Sequence, residues 1–202
     1  MLRSVGSYFL ANLINALIPF FLLPILTRYL SVSEYGEVAI FTSIVGFISA
    51  MVGTAFVGSV SRKFFDEDFD SSNYSGFVAT ALSLGFAISL GLLLVIAFAG
   101  EAIANGLNIK LVYIYSALLV AYSGFVVQIK LNQFQIRKKA FSYGKLQVSW
   151  AMLNAVFSLL SVALLGLGVS GRIGSQVLAV ILVMTLSVYL LLKSNQGKFE
   201  KN

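Results

Sequence analysis

The sequence SVGSYFLANLINALIPFFLLPILT, residues 4–27, is an uncharged run that is long enough to cross a lipid bilayer as one helix. Its less apolar members recur every three or four positions, at Ser4, Tyr8, Asn12, Asn15 and Pro19. This spacing places them along one side of a helix. The run therefore predicts a first membrane-spanning helix that has a polar side.

Two prolines, Pro19 and Pro24, lie in this run, and the chain has no others. Proline removes a backbone donor from a helix and bends it. In lipid, the carbonyl groups that lose their partners must be satisfied by protein or by water in a cavity. We therefore expect a kinked first helix whose polar side faces a cavity.

The composition indicates an integral membrane protein. The mean hydropathy is +0.91, and only 11% of the residues are charged, whereas soluble domains carry roughly 25% charged residues. Charged residues divide the chain into six uncharged runs. We predict an all-α membrane protein in which residues 1–193 form six transmembrane helices and residues 194–202 form a polar cytoplasmic tail. The predicted spans are residues 4–30, 36–61, 75–100, 110–130, 144–169 and 172–193.

The distribution of lysine and arginine predicts the orientation of these helices. If the N-terminus is inside, the inner segments hold all of the 14 basic residues except Arg28, Lys110 and Arg172. This asymmetry satisfies the positive-inside rule in one direction only, so both termini are expected in the cytoplasm. Loop placement also explains the net charge of +6, and no nucleic-acid partner is predicted.

Cysteine and histidine are both absent from the sequence. Their absence excludes a thiol nucleophile and a histidine-based metal site. The segment 168–171, GVSG, matches the GxSG box of intramembrane serine proteases, but the serine in that mechanism needs a histidine base. We therefore predict no catalytic residues, no enzyme activity, no cofactor and no metal.

Two further patterns concern packing and the membrane surface. Small residues recur every four positions along the second span, and a shorter stripe follows one face of the third span; both are typical of helix packing. Their members are Thr42, Gly46, Ala50, Thr54 and Gly58, and then Ser83, Ala87 and Gly91.

Residues 130–145 form a dense basic segment interleaved with aromatic residues. This mixture suits anionic headgroups, and it equally serves to set the topology.

The candidate site residues are polar groups within or beside the spans. None of the six runs contains a carboxylate, whereas Asn12, Asn15, Gln147 and Asn154 lie on helical faces. These amides either bond neighbouring helices or line a hydrated cavity. Arg28 either extends to the outer interface or faces the cavity as a cation for a phosphate-bearing substrate. Glycines at 166, 168, 171 and 174 predict a turn around Arg172.

Several segments together resemble bacterial polysaccharide flippases, which are O-antigen-type exporters of the MATE-like superfamily. The segments are NLIN (12–15), PILTRYL (24–30), EYG (34–36), QIRKKA (135–140), YG (143–144), Asn154 and GLGVSGRI (166–173). The resemblance implies two six-helix lobes around a central cavity, of which this chain is the N-terminal lobe. It also implies that Asn12, Asn15, Arg28 and Asn154 line that cavity.

The resemblance further implies a substrate, an oligosaccharide linked to polyprenyl diphosphate, such as an O-antigen or capsule repeat unit. Alternating access would move it across the bacterial inner membrane. The implied partners are this glycolipid, membrane lipids, a second six-helix lobe and polysaccharide-assembly proteins. Two alternatives are a multidrug exporter lobe and a non-transporting scaffold; multidrug relatives often carry an acid in the first helix, which this chain lacks. With 202 residues, the chain is expected to be a fragment, a truncated product or a half-transporter that pairs.

Overall fold

A computed structural model describes residues 2–65 and 71–195, and within these ranges it contains helices and no strands. The elements are α1 (Leu2–Tyr29), α2 (Val32–Val52), α3 (Thr54–Phe65), α4 (Ser71–Leu107), α5 (Leu111–Ile136), α6 (Ala140–Ser158), a π-helical segment (Leu159–Leu164) and α7 (Gly168–Asn195). Six of the described helical segments are long and apolar enough to cross a membrane. The prediction of an all-α membrane protein with six spans is confirmed. Of the predicted tail, residues 196–202 lie outside the described residues.

Helix α5 is the centre of the lobe. It packs against α2, α3, α4, α6 and α7, and 14 of its 26 residues are buried. Ala117, Ala121 and Ser123 are small and fully or almost fully buried along α5. Small residues let neighbouring backbones approach closely, which explains how one helix accommodates five neighbours.

The second predicted span is not one helix, because α2 ends at Val52 and α3 begins at Thr54. The ring of Phe125 on α5 lies against Gly53 at this break, and a β-carbon at Gly53 would collide with it. The same ring lies against Gly85 of α4 on another side. A side chain that is distant in sequence therefore marks the place where α2 and α3 separate.

The two predicted stripes of small residues do not pack against helices within the described part of the chain. Thr42 and Ala50 are exposed, and a β-carbon added at Gly46 or Gly58 would meet no atom within 4 Å. The stripe of the third span, at 83, 87 and 91, is exposed as well. Two members of the first stripe instead line open spaces: Thr42 lines a cavity beside α1, and Gly58 lines a groove along α5.

Helix α1 is peripheral and lies mainly against α6 and the π-helical segment. In its membrane-spanning part only 11% of the residues are buried. The helix continues through Pro19 and Pro24 without interruption, so the bend itself remains a prediction. Since Pro19 has no N–H, the carbonyl of Asn15 is denied its ordinary helical partner.

The fifth predicted span ends earlier than expected, at Leu164, in a π-helical segment. The turn that follows contains Gly166 at φ +64° and leads into Gly168 at φ +54°, a region that glycine adopts easily. The predicted turn around Arg172 is therefore wrong. Arg172 lies within α7, one turn after that helix begins at Gly168.

Candidate functional site

A polar cavity of about 350 Å³ lies where α1, α5, α6 and α7 meet. Its polar lining comes from all four helices, and apolar side chains complete the wall. The polar residues are Asn15, Gln128, Tyr143, Gln147, Asn154 and Arg172, and the others are Ile18, Pro19, Leu22, Leu131, Trp150, Ala151 and Ala155. The fold thus brings Asn15 and Asn154, which are far apart in sequence, to one cavity.

Arg172 is the only charged residue among those that line the polar cavity. Its Nη1 donates to the Oδ1 atom of Asn154 at 2.8 Å and to the hydroxyl of Ser158 at 3.0 Å. Both acceptors are neutral, and no carboxylate lies on the cavity wall. Among the described residues of this wall the guanidinium therefore has no carboxylate partner, and its positive charge faces the cavity.

The amide of Asn154 orients this guanidinium. Asn154 and Ser158 are four residues apart on α6, so they lie on one face of the helix, toward α7. The Ser158 hydroxyl is fully buried and also donates to Asn154 Oδ1 at 3.4 Å. Because one oxygen accepts from both partners, the three side chains hold each other in place.

Arg172 also lines a neighbouring cavity of about 370 Å³ between α1 and α2, together with Pro19, Leu22 and Tyr35. Its charge therefore serves two adjoining cavities. Sequence reasoning assigned Arg172 to an outer turn and missed this role. The available signal was its place inside the segment GLGVSGRI, which carries the family resemblance.

Asn12 lies at the rim of the polar cavity rather than on its wall. Its side chain is exposed, and its Oδ1 atom accepts from the hydroxyl of Tyr143 at 3.3 Å. The ring of Tyr143 also meets Tyr8 edge to face, with centroids 5.2 Å apart. These contacts attach the first half of α1 to α6, so Asn12 reaches the cavity through Tyr143.

Arg28 and Pro24 are exposed on the last turns of α1, and neither lines the polar cavity. The cation in the cavity is Arg172, whereas the sequence analysis named Arg28 as the candidate. A substrate contact by Arg28 remains a prediction.

An apolar groove of about 520 Å³ adjoins the polar cavity along α5. Gln128 and Trp150 line both spaces. The rest of the groove wall is largely aliphatic and aromatic, with Val45, Val57 and Phe125 among its members. The guanidinium, several amides and the apolar groove therefore lie next to one another in the lobe.

These features define a multi-pass membrane protein with a cationic polar cavity beside an apolar groove. A family model described as "Polysaccharide biosynthesis protein" matches residues 1–201, and the chain belongs to that family. The resemblance read from the sequence is confirmed at this level. The protein is therefore a membrane protein with a function related to polysaccharides.

Two relatives from Haemophilus influenzae are similar to this chain. Protein 1 of the Lsg locus is 29% identical over 197 residues, which cover 95% of this chain and 45% of the relative. A protein described as an uncharacterized membrane protein is 28% identical over 164 residues, covering 79% of this chain and 37% of the relative. The chain thus spans less than half the length of these relatives. No solved structure matches the chain.

Proposed function

We propose that the chain forms the N-terminal half of a flippase that moves polyprenyl-diphosphate-linked oligosaccharide across the bacterial inner membrane by alternating access. The observation that carries this proposal is the uncompensated guanidinium of Arg172 in a cavity without carboxylates. Such a cation in a wet cavity within a membrane attracts an anionic substrate. Asn15 and Asn154 stay proposed substrate contacts in this cavity, whereas Asn12 acts at the rim and Arg28 at the end of α1.

The three parts of the proposed substrate correspond to three kinds of surface. A diphosphate suits arginine, whose planar fork of N–H groups binds phosphate oxygens in pairs. Within the described part of the chain, both hydrogen bonds that fix Arg172 use Nη1. The Nε and Nη2 groups therefore remain for a ligand. The amides can donate to and accept from sugar hydroxyls. The apolar groove suits the first isoprene units.

The multidrug alternative is less compatible with this site. Many drug substrates of such exporters are cations, and a lone arginine without a carboxylate repels them. The scaffold alternative requires no substrate in the cavity. Measurements of ligand binding and of glycan export therefore distinguish it from the flippase proposal. The proposed orientation, with both termini in the cytoplasm, rests on the distribution of basic residues.

Trp150 is the only tryptophan of the chain and lines both the polar cavity and the apolar groove. Its fluorescence therefore reports on ligands at this site. We expect geranylgeranyl diphosphate to change the fluorescence of the purified chain saturably. Arg172→Gln should weaken this binding about tenfold or more, because hydrogen bonds to charged groups contribute about 1.5–3 kcal/mol.

Asn154→Asp should also weaken binding, since the new carboxylate would neutralise Arg172 from the position of the present amide. Lys110→Gln is the matched control, because Lys110 is exposed at the start of α5, outside the cavity, and its loss changes the net charge equally. Unchanged binding in Arg172→Gln would refute the proposed site. In the source bacterium, Arg172→Gln should also stop glycan export; export that continues normally would favour the scaffold.

A further inference from the structure

A second cationic cavity, of about 190 Å³, lies at the end of the lobe where α5 and α7 finish. Four basic residues line it: Lys130, Arg137, Lys139 and Lys193. None of its lining residues is acidic, and none is shared with the polar cavity. We call it the basic pocket; it does not depend on the proposed transport function.

Lys130 is the most deeply buried of these cations, with only 3% of its surface exposed. Its ammonium donates to Gln133 Oε1 at 3.3 Å and to the carbonyl of Leu190 at 3.0 Å. It also lies 4.9 Å from the centre of the Phe134 ring. All of these partners are neutral. No described residue that lines the pocket is acidic. A buried ammonium without a counter-charge is costly, and an anion nearby would remove much of that cost.

Lys139 and Lys193 also line the basic pocket and have the same sign of charge as Lys130, so they do not balance it. Arg137 caps the C-terminal end of α5, and Lys193 lies in the last turn of α7. The helix dipoles attract cations at both places, but only weakly. Burial lowers the pKa of Arg137, although a guanidinium stays protonated at physiological pH.

We propose that the basic pocket binds the phosphate group of an anionic membrane lipid. The pocket lies at the ends of two membrane-spanning helices, the level at which lipid headgroups collect. Basic pockets between transmembrane helices are suited to such headgroups. Free phosphate has the same chemistry, but a lipid is already concentrated at this surface and needs no separate capture. The acyl chains would stay in the bilayer, beside the apolar outer surface of the helices.

The test is a titration of the purified 202-residue chain in detergent, read by native mass spectrometry. We expect phosphatidylglycerol to bind more tightly than phosphatidylcholine, whose headgroup has no net charge. Lys130→Gln and Lys193→Gln should each weaken phosphatidylglycerol binding about fivefold, the effect of one charge near a membrane surface. Lys193 is exposed, so its replacement tests the pocket even where the Lys130 variant fails to fold.

Lys145→Gln is the matched control. Lys145 belongs to the same basic segment, but it is exposed, its ammonium lies 4.4 Å from the centre of the Phe141 ring, and it does not line the pocket. Equal binding of both lipids, or an equal loss in Lys145→Gln, would overturn the proposal. Inorganic phosphate is titrated in parallel. Displacement of phosphatidylglycerol by inorganic phosphate at equal concentration would overturn the lipid as the source of the anion.

Discussion

At the scale of single residues, the ring of Phe125 is the contact that fixes how α2, α3 and α4 pack on α5. The ring is buried and lies against Gly53 and Gly85, where β-carbons would collide with it. We expect Gly85→Ala to lower the free energy of unfolding by about 1–3 kcal/mol, as overpacking in a dense core does. Thermal unfolding of the purified chain measures this effect.

Gly91→Ala provides the control for this prediction on the same helix. A β-carbon at Gly91 meets no atom within 4 Å, so the substitution should stabilise α4 by about 0.5–1 kcal/mol through its helix propensity alone. Phe125→Leu should relieve part of the loss in Gly85→Ala. Equal effects of Gly85→Ala and Gly91→Ala would contradict the role of the Phe125 ring.

At the scale of elements, α6 presents a polar side to the cavity and an apolar side to its surroundings. The chain has no native cysteine, so single cysteines can be labelled cleanly. Ala151 lines the polar cavity, whereas its neighbour Met152 is exposed outside it. The proposed function requires a hydrated cavity, so a water-soluble maleimide should label Ala151→Cys several times faster than Met152→Cys.

Prior addition of geranylgeranyl diphosphate should slow labelling of Ala151→Cys, and it should leave Met152→Cys unchanged. Equal rates at both positions would contradict a hydrated cavity. Protection of Ala151→Cys without any ligand would show that the amides instead form dry contacts between helices.

The elements also show what could be predicted from the sequence. The six spans were predictable because charged residues and apolar runs follow from the cost of placing charge in lipid. The break after Val52 was not, because Phe125, the ring beside it, lies on another helix. Part of the cavity lining could be predicted, because helical spacing identified Asn15 and Asn154. The position of Arg172 could not, because it depends on the length of the turn before α7, which spacing alone does not determine.

At the scale of the whole molecule, the outer surface of the lobe has an apolar character that only lipid or another membrane protein can cover. Phe98 is 90% exposed, and large apolar side chains are exposed on every predicted span. The interior is tight around α5, while α1 is held at the edge. The polar cavity therefore lies at the edge of the lobe, beside the loosely packed first helix.

The molecule should also have a fixed orientation in the membrane. The turn before α5 contains Lys110, and the turn after it contains Lys138. The 26 helical residues between these turns extend about 39 Å at 1.5 Å per residue, so the two turns lie on opposite sides of the bilayer. On intact spheroplasts, an impermeant maleimide should label Lys110→Cys and not Lys138→Cys; in inside-out vesicles the pattern should reverse.

This measurement tests the assignment of inner and outer ends on which both proposals depend for their location. Labelling of Lys138→Cys from outside would place the basic pocket in the outer leaflet and reverse the direction in which the polar cavity must open. Labelling of both positions from one side would contradict α5 as a single span. Because Lys110 and Lys138 are both exposed lysines in turns, accessibility and not intrinsic reactivity decides the outcome.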